Sequence, residues 1–158
     1  MKYLDDIQIG TTFELGRHTF TAQEIKSFAE RFDPQPFHVD EDAAALSHFG
    51  GLVASGWHTA AICMRFIVEQ KRKENEAQTA RGEPNAKTGV SPGFRDLKWV
   101  KPVRAGDTII YASEILEARA LATRPAWGLL FSRNTGTNQA GELVFSFVGS
   151  VFVQRRPE

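Results

Sequence analysis

From Ser55 to about Lys73, apolar residues recur at Trp57, Ala60, Ala61, Met64, Ile67 and Val68, the three- and four-residue spacing that gathers side chains on one face of an α-helix. Ser55 or Gly56 supplies its N-terminus. At 1.5 Å per residue such a helix is about 28 Å long, enough to cross a whole sheet. The small Ala60 and Ala61 let strands come close to it. A single long helix must bury its apolar face against something, and the rest of the chain offers mainly strands.

Phe13–Phe20 reads as a first strand, and Phe94–Val100, Thr108–Ala118, Ala126–Asn138 and Glu142–Gln154 are rich in β-branched and aromatic residues. Pro102–Asp107, Arg119–Pro125 and the Gly, Thr and Asn of Thr135–Gly141 separate them. Between the long helix and the second strand, Glu74–Gly93 is polar and holds Gly82, Pro84, Gly89, Pro92 and Gly93, which predicts a frayed helix end and a long loop, and the stretch from Glu69 to Gly89 is expected to line the mouth of any site. Thr21–Phe32 predicts a short amphipathic helix. Thr21 is its N-cap, Glu24 closes a capping box, and Ile25, Phe28, Ala29 and Phe32 share a face. The order of strand, short helices, long helix and four strands is satisfied by an α+β fold. One antiparallel sheet of five or six strands wraps the helix, with the helices on one side.

At 158 residues and 42% apolar content the chain is expected to be one domain, residues 1–158. The formal net charge is +0 and no Lys/Arg block stands out, so no nucleic-acid partner is expected. Cys63 is the one cysteine and cannot form an intrachain disulfide, which fits a reducing compartment. Met1–Asp6 turns acidic where a secretory leader needs an apolar run, and no stretch reaches membrane-spanning length. A soluble cytoplasmic protein is the expectation.

Chemistry concentrates at Phe32–Asp40. Pro34 and Pro36 push Asp33 and Gln35 away from helical geometry and stiffen the segment. Asp40 caps a second short helix through about Ser47, with Glu41 and Asp42 in its first turn. Asp33 and His38 are thereby held in fixed relation, as general acid/base work on a water requires. His38, His48 and His58 carry no metal-ligand spacing, so no metal site is expected, and His58 is expected to solvate the first turn of the long helix.

These residues carry a resemblance. Asp33-Pro34-Gln35-Pro36-Phe37-His38 is similar to the Asp-x-Asn-Pro-x-His hydratase motif of MaoC-type dehydratases and (R)-specific enoyl-CoA hydratases. Ser55-Gly56-Trp57 lies where that family has a glycine opening its central helix, and Lys101-Pro102-Val103-Arg104-Ala105-Gly106-Asp107-Thr108 resembles its Pro-Val-x-x-Gly-Asp-Thr strand approach. The resemblance spans nearly the whole chain and implies a hotdog fold. It also implies reversible addition of water to a trans-2-enoyl thioester, giving a 3-hydroxyacyl thioester in fatty-acid metabolism. Asp33 and His38 would activate the water, and the Gly56 backbone N–H would stabilise the thioester oxygen. Gln35, Phe37, Ser55 and Trp57 would line the substrate site. The resemblance implies an acyl-CoA substrate, no separate cofactor, and a homodimer or assembly of dimers. The chain departs from the pattern at Gln35, where the family has asparagine, at Phe32 in place of glycine, and at Ser55 in place of histidine. Phe32, Phe37 and Trp57 are then expected to crowd the acyl pocket. A non-catalytic acyl-CoA-binding hotdog module and a hotdog acyl-CoA thioesterase are the rival readings.

Overall fold

The computed structural model describes residues 1–157. One five-stranded antiparallel sheet contains β1 (Thr12–Thr19), β2 (Gly93–Trp99), β3 (Thr108–Ala120), β4 (Trp127–Thr137) and β5 (Leu143–Gln154), in the order β1-β3-β4-β5-β2. Between β1 and β2 the chain forms α1 (Ala22–Phe32), α2 (Pro36–Val39), α3 (Glu41–Leu46) and α4 (Gly56–Ala80). Burial alternates along β3, so one face of the sheet turns inward. Phe20, Ile109, Tyr111, Val144 and Phe145 meet Ile25 of α1 and Cys63 of α4 in the core. The Tyr111 hydroxyl donates to the Thr59 carbonyl at 3.1 Å, tying β3 to α4. This is the hotdog arrangement, α+β, with the sheet curled over a long helix. No helix among the described residues is long and apolar enough to cross a membrane.

The capping box forms as expected: Glu24 N–H donates to the Thr21 hydroxyl and Thr21 N–H to the Glu24 carboxylate, each at 3.2 Å. Phe32 does not join the buried face of α1. It is 70% exposed at the last turn, because Ile25 and Ala29 already fill the contact with the core.

Helix α4 departs from expectation in length and in orientation. It runs on to Ala80, because the polar segment after Lys73 is built from good helix formers. An Arg72–Glu76 ion pair at 3.8 Å spans one turn there. It stops only at Gly82, whose φ of +72° is the left-handed conformation glycine takes readily. The side chains turned to the sheet are Thr59, Cys63, Phe66 and Ile67, whereas Trp57, Ala61, Met64 and Val68 form an exposed stripe. Two apolar stripes share the helix, and spacing alone does not rank them. The segment after α4 is pinned beside β5, with Gly89 N–H on the Phe152 carbonyl at 2.9 Å and Gln154 N–H on that of Lys87 at 2.9 Å. It contributes nothing to the cavity described below, contrary to the expectation that it lines the mouth.

Candidate active site

Helix α1 ends at Asp33, whose N–H still bonds the Ala29 carbonyl at 2.9 Å while its φ of −156° leaves helical geometry ahead of Pro34. Pro36 then opens the single turn α2, a position where its missing N–H is no loss. The stiff segment is thus partly helical, and that turn carries His38 inward. The imidazole is buried. Its Nδ1 lies 2.7 Å from the Val53 carbonyl, an acceptor only, so Nδ1 carries a proton and, in the neutral form of the ring, the lone pair is on Nε2.

Val53 is held from both sides. Its N–H donates to the Phe37 carbonyl at 3.3 Å, it bridges Arg104, and Ala54 N–H bonds the Val103 carbonyl at 2.8 Å. The Lys101–Thr108 segment therefore acts as a clamp on the approach to α4. The clamp fixes the His38 acceptor and the start of α4 together.

Asp33 faces His38 with Oδ2 at 3.4 Å from Nε2. Its Oδ1 accepts from the Gln35 amide at 2.8 Å and Oδ2 from the Ser55 hydroxyl at 2.6 Å. Burial pushes this carboxyl upward, but the Ser55 and Gln35 hydrogen bonds and the nearby His38 outweigh it, and the net pKa lies below the ordinary value. Ser55, expected to line the substrate site, sits behind the cavity wall. Ser55 is fully buried, caps α4 by accepting from Trp57 N–H at 3.2 Å, and spends its own proton on Asp33. Gln35 lines the cavity but also anchors Asp33, one methylene longer than asparagine and still within reach.

The cavity beside this pair has a volume of about 460 Å³ and includes Asp33, His38, Phe37, Gly56, Trp57 and Trp99 in its wall. Gly56 is the first residue of α4, and its N–H has no hydrogen-bond partner among the described residues. The structure thus brings Asp33, His38, Gly56, Gln35, Phe37 and Trp57 to one place and leaves Ser55 behind the wall and Phe32 outside it. Sequence reasoning missed Trp99, Phe49 and the Val100–Val103 side of the cavity. The Lys-Pro-Val motif pointed at that neighbourhood, but nothing local shows that an edge strand delivers Trp99 to α4.

His58 neither faces the cavity nor solvates the helix. It is buried between α1 and β1, stacked on Phe28 at 4.5 Å and edge-on to Phe20 at 5.0 Å, with Nδ1 unpartnered. Burial, reinforced by the neighbouring His18, pushes its pKa down to about 4, although Glu24 opposes this.

The family model of the MaoC-like domain matches residues 6–125. An uncharacterized protein of Bacillus subtilis, YdeM, is 30% identical over 96% of this chain and 99% of its own length. The crystal structure of a MaoC-like dehydratase from Rhodospirillum rubrum superposes with a TM-score of 0.81 at 36% identity, covering 100% of both chains. An R-hydratase from Pseudomonas aeruginosa shares the fold, with a TM-score of 0.67 at 21% identity over 98% of this chain and 86% of that one. The match across three quarters of the chain, together with whole-length kinship to a MaoC-like dehydratase, settles its place: the chain belongs to the MaoC-like dehydratase family.

Proposed function

We propose that the protein is a hydratase/dehydratase that adds water reversibly to a trans-2-enoyl thioester, carried by coenzyme A, to give the 3-hydroxyacyl thioester. The observation that carries this reading is the pairing of the Asp33 carboxylate with His38 Nε2 in the wall of a cavity that also presents the unpartnered Gly56 N–H. At 3.4 Å the two atoms are both acceptors when the ring is neutral, an arrangement that suits a water donating to each. In the forward direction one water O–H bond breaks toward the dyad and the oxygen bonds the β-carbon. The π pair moves toward the α-carbon and the thioester oxygen, and the proton taken up by the dyad is then returned to the α-carbon, so that both parts of the water end on the product. The Gly56 N–H at the positive end of α4 stabilises the charge on that oxygen. The reaction needs no group beyond the substrate's own carrier.

The acting unit is a homodimer on this reading. Exposure of nearly every residue of the edge strand β2, with its unpaired backbone edge and exposed Phe94 and Trp99, and of the apolar Trp57–Met64–Val68 stripe of α4 supports it, since a second copy would cover both. A spectrophotometric scan of short, medium and branched enoyl-CoA substrates, run beside a free-thiol assay, tests the activity. Loss of the conjugated-enoyl absorbance without thiol release supports hydration. Thiol release identifies a thioesterase, and saturable binding with neither signal identifies a binding module.

A further inference from the structure

The wall beside Gly56 is made by Trp99, which reaches it through an irregularity in the edge strand. Arg95 of β2 pairs with Val148 of β5, but Lys98 pairs with Ser146 and Trp99 with Phe145, so β2 carries one residue more than β5 across this interval. Within it Asp96 takes a φ of 56°, in the left-handed region that aspartate tolerates better than most residues. A one-residue bulge sends every later side chain to the opposite face of the strand. Trp99 therefore stands opposite the fully buried Phe145, on the side of the sheet that faces α4.

The indole comes down on the helix start. A Cβ added to Gly56 would lie 2.3 Å from Cε2, 2.4 Å from Nε1 and 2.6 Å from Cδ2 of Trp99. The nitrogen edge of the ring is thus packed against the Gly56 backbone, and covalent geometry puts the two nitrogens within about 5 Å of each other. One oxygen can accept from both at about 2.9 Å. Among the other side-chain N–H groups of the cavity wall, the Gln35 amide is used on Asp33, His38 Nδ1 on Val53 and Lys101 on Glu142, while the indole N–H of Trp57 is not packed against the Gly56 backbone as that of Trp99 is. The indole N–H of Trp99 has no protein acceptor among the described residues, and Trp57 stands edge-on to the ring at 5.1 Å.

We propose that Trp99 is a further catalytic residue, its indole N–H donating a second hydrogen bond to the thioester oxygen beside that of Gly56. The inference rests on the hydratase reading and deepens it. Two donors fixed by an apolar wall, one on the helix and one on the bulged strand, meet the developing charge without having to reorganise.

Trp99→Phe keeps an aromatic ring against Gly56 and removes only the N–H. On an enoyl-CoA that the wild type hydrates, kcat is expected to fall on the order of 10²-fold while KM changes little, the signature of a contact made in the transition state. A folded Trp99→Phe protein with wild-type kcat overturns the proposal and leaves the hydratase reading intact. The chain has three tryptophans, so the indole N–H signals of the wild type are few, and loss of one in the variant assigns Trp99. Titration with butyryl-CoA, which cannot be hydrated, is expected to move that signal downfield, and titration with S-butyl-CoA, a thioether without the carbonyl oxygen, is not. This measurement decides the matter if the variant fails to fold or if no enoyl thioester is turned over. In that last case the hydratase reading falls separately. An equal response to both ligands, or none to either, overturns the role of Trp99.

Discussion

Two side chains fix one carboxylate. Gln35 donates to one oxygen of Asp33 and Ser55 to the other, so its charge is retained through the neutral range and its geometry is set from both oxygens, with His38 Nε2 3.4 Å away. If Asp33 and His38 work on one water, Asp33→Asn and His38→Ala each lower kcat by about 10²–10⁴-fold with the fold intact, and the double variant is scarcely worse than either single one. Steady-state rates and circular dichroism check this. Multiplicative losses would assign the two residues separate tasks. At Gly56 the demand is for space: an alanine there meets the Trp99 ring well inside van der Waals contact. Gly56→Ala is expected to displace the indole, seen as a change in tryptophan fluorescence, and to cut turnover at least tenfold with a destabilisation of about 1–3 kcal/mol. Unchanged fluorescence with normal rates would mean that the ring moves aside freely.

Helix α1 brings Asp33 and helix α4 brings Gly56, and the joint between them is built on His58. Its ring is stacked on Phe28 of α1 while its backbone belongs to the first turn of α4. Burial, with His18 close by, lowers its pKa from 6.5 to about 4, so between those values the unfolded chain binds the proton and the folded one resists it. A group of this kind contributes its full stability above the unfolded value and loses it as pH falls toward the folded one. The loss amounts to about 3 kcal/mol between pH 6.5 and pH 4. Urea unfolding at pH 7 and pH 4.5 measures it. His58→Phe, which keeps the stack on Phe28 and cannot take up a proton, is expected to show a much shallower dependence over that interval. The same slope in both proteins would place the acid sensitivity elsewhere.

In the molecule as a whole, the cavity lies beside the end of β2, and β2 is an edge. Its exposed face continues into the apolar stripe of α4 through Trp57, which itself lines the cavity. Pairing of two copies would therefore cover the strand, the stripe and one wall of the site together. Light scattering at micromolar concentration is expected to give twice the mass of the chain. Met64→Glu with Val68→Lys, on the stripe but outside the cavity wall, is expected to yield monomers with impaired turnover. A wild-type monomer with full activity would remove the second copy from the mechanism.

The element order, the capping box at Thr21, the Asp33–His38 segment and the glycine at the head of the long helix were all legible in the amino-acid sequence. They rest on local steric and hydrogen-bonding rules: proline ends a helix, a threonine oxygen caps one, and strands differ from helices in period. Strand ends fell within two residues of those read from the sequence, as at β3, which runs to Ala120 instead of Ala118. Which stripe of α4 faces the sheet, the extension to Ala80, the burial of His58 and the use of Ser55 behind Asp33 came only from the tertiary structure. Each depends on partners distant in sequence: Tyr111 meets α4 at Thr59, and the bulge at Asp96 decides the face on which Trp99 emerges. Local pattern sets what each segment can become. Competition between apolar surfaces for a single core sets which face is buried, and a one-residue change of register decides which side chain meets the site.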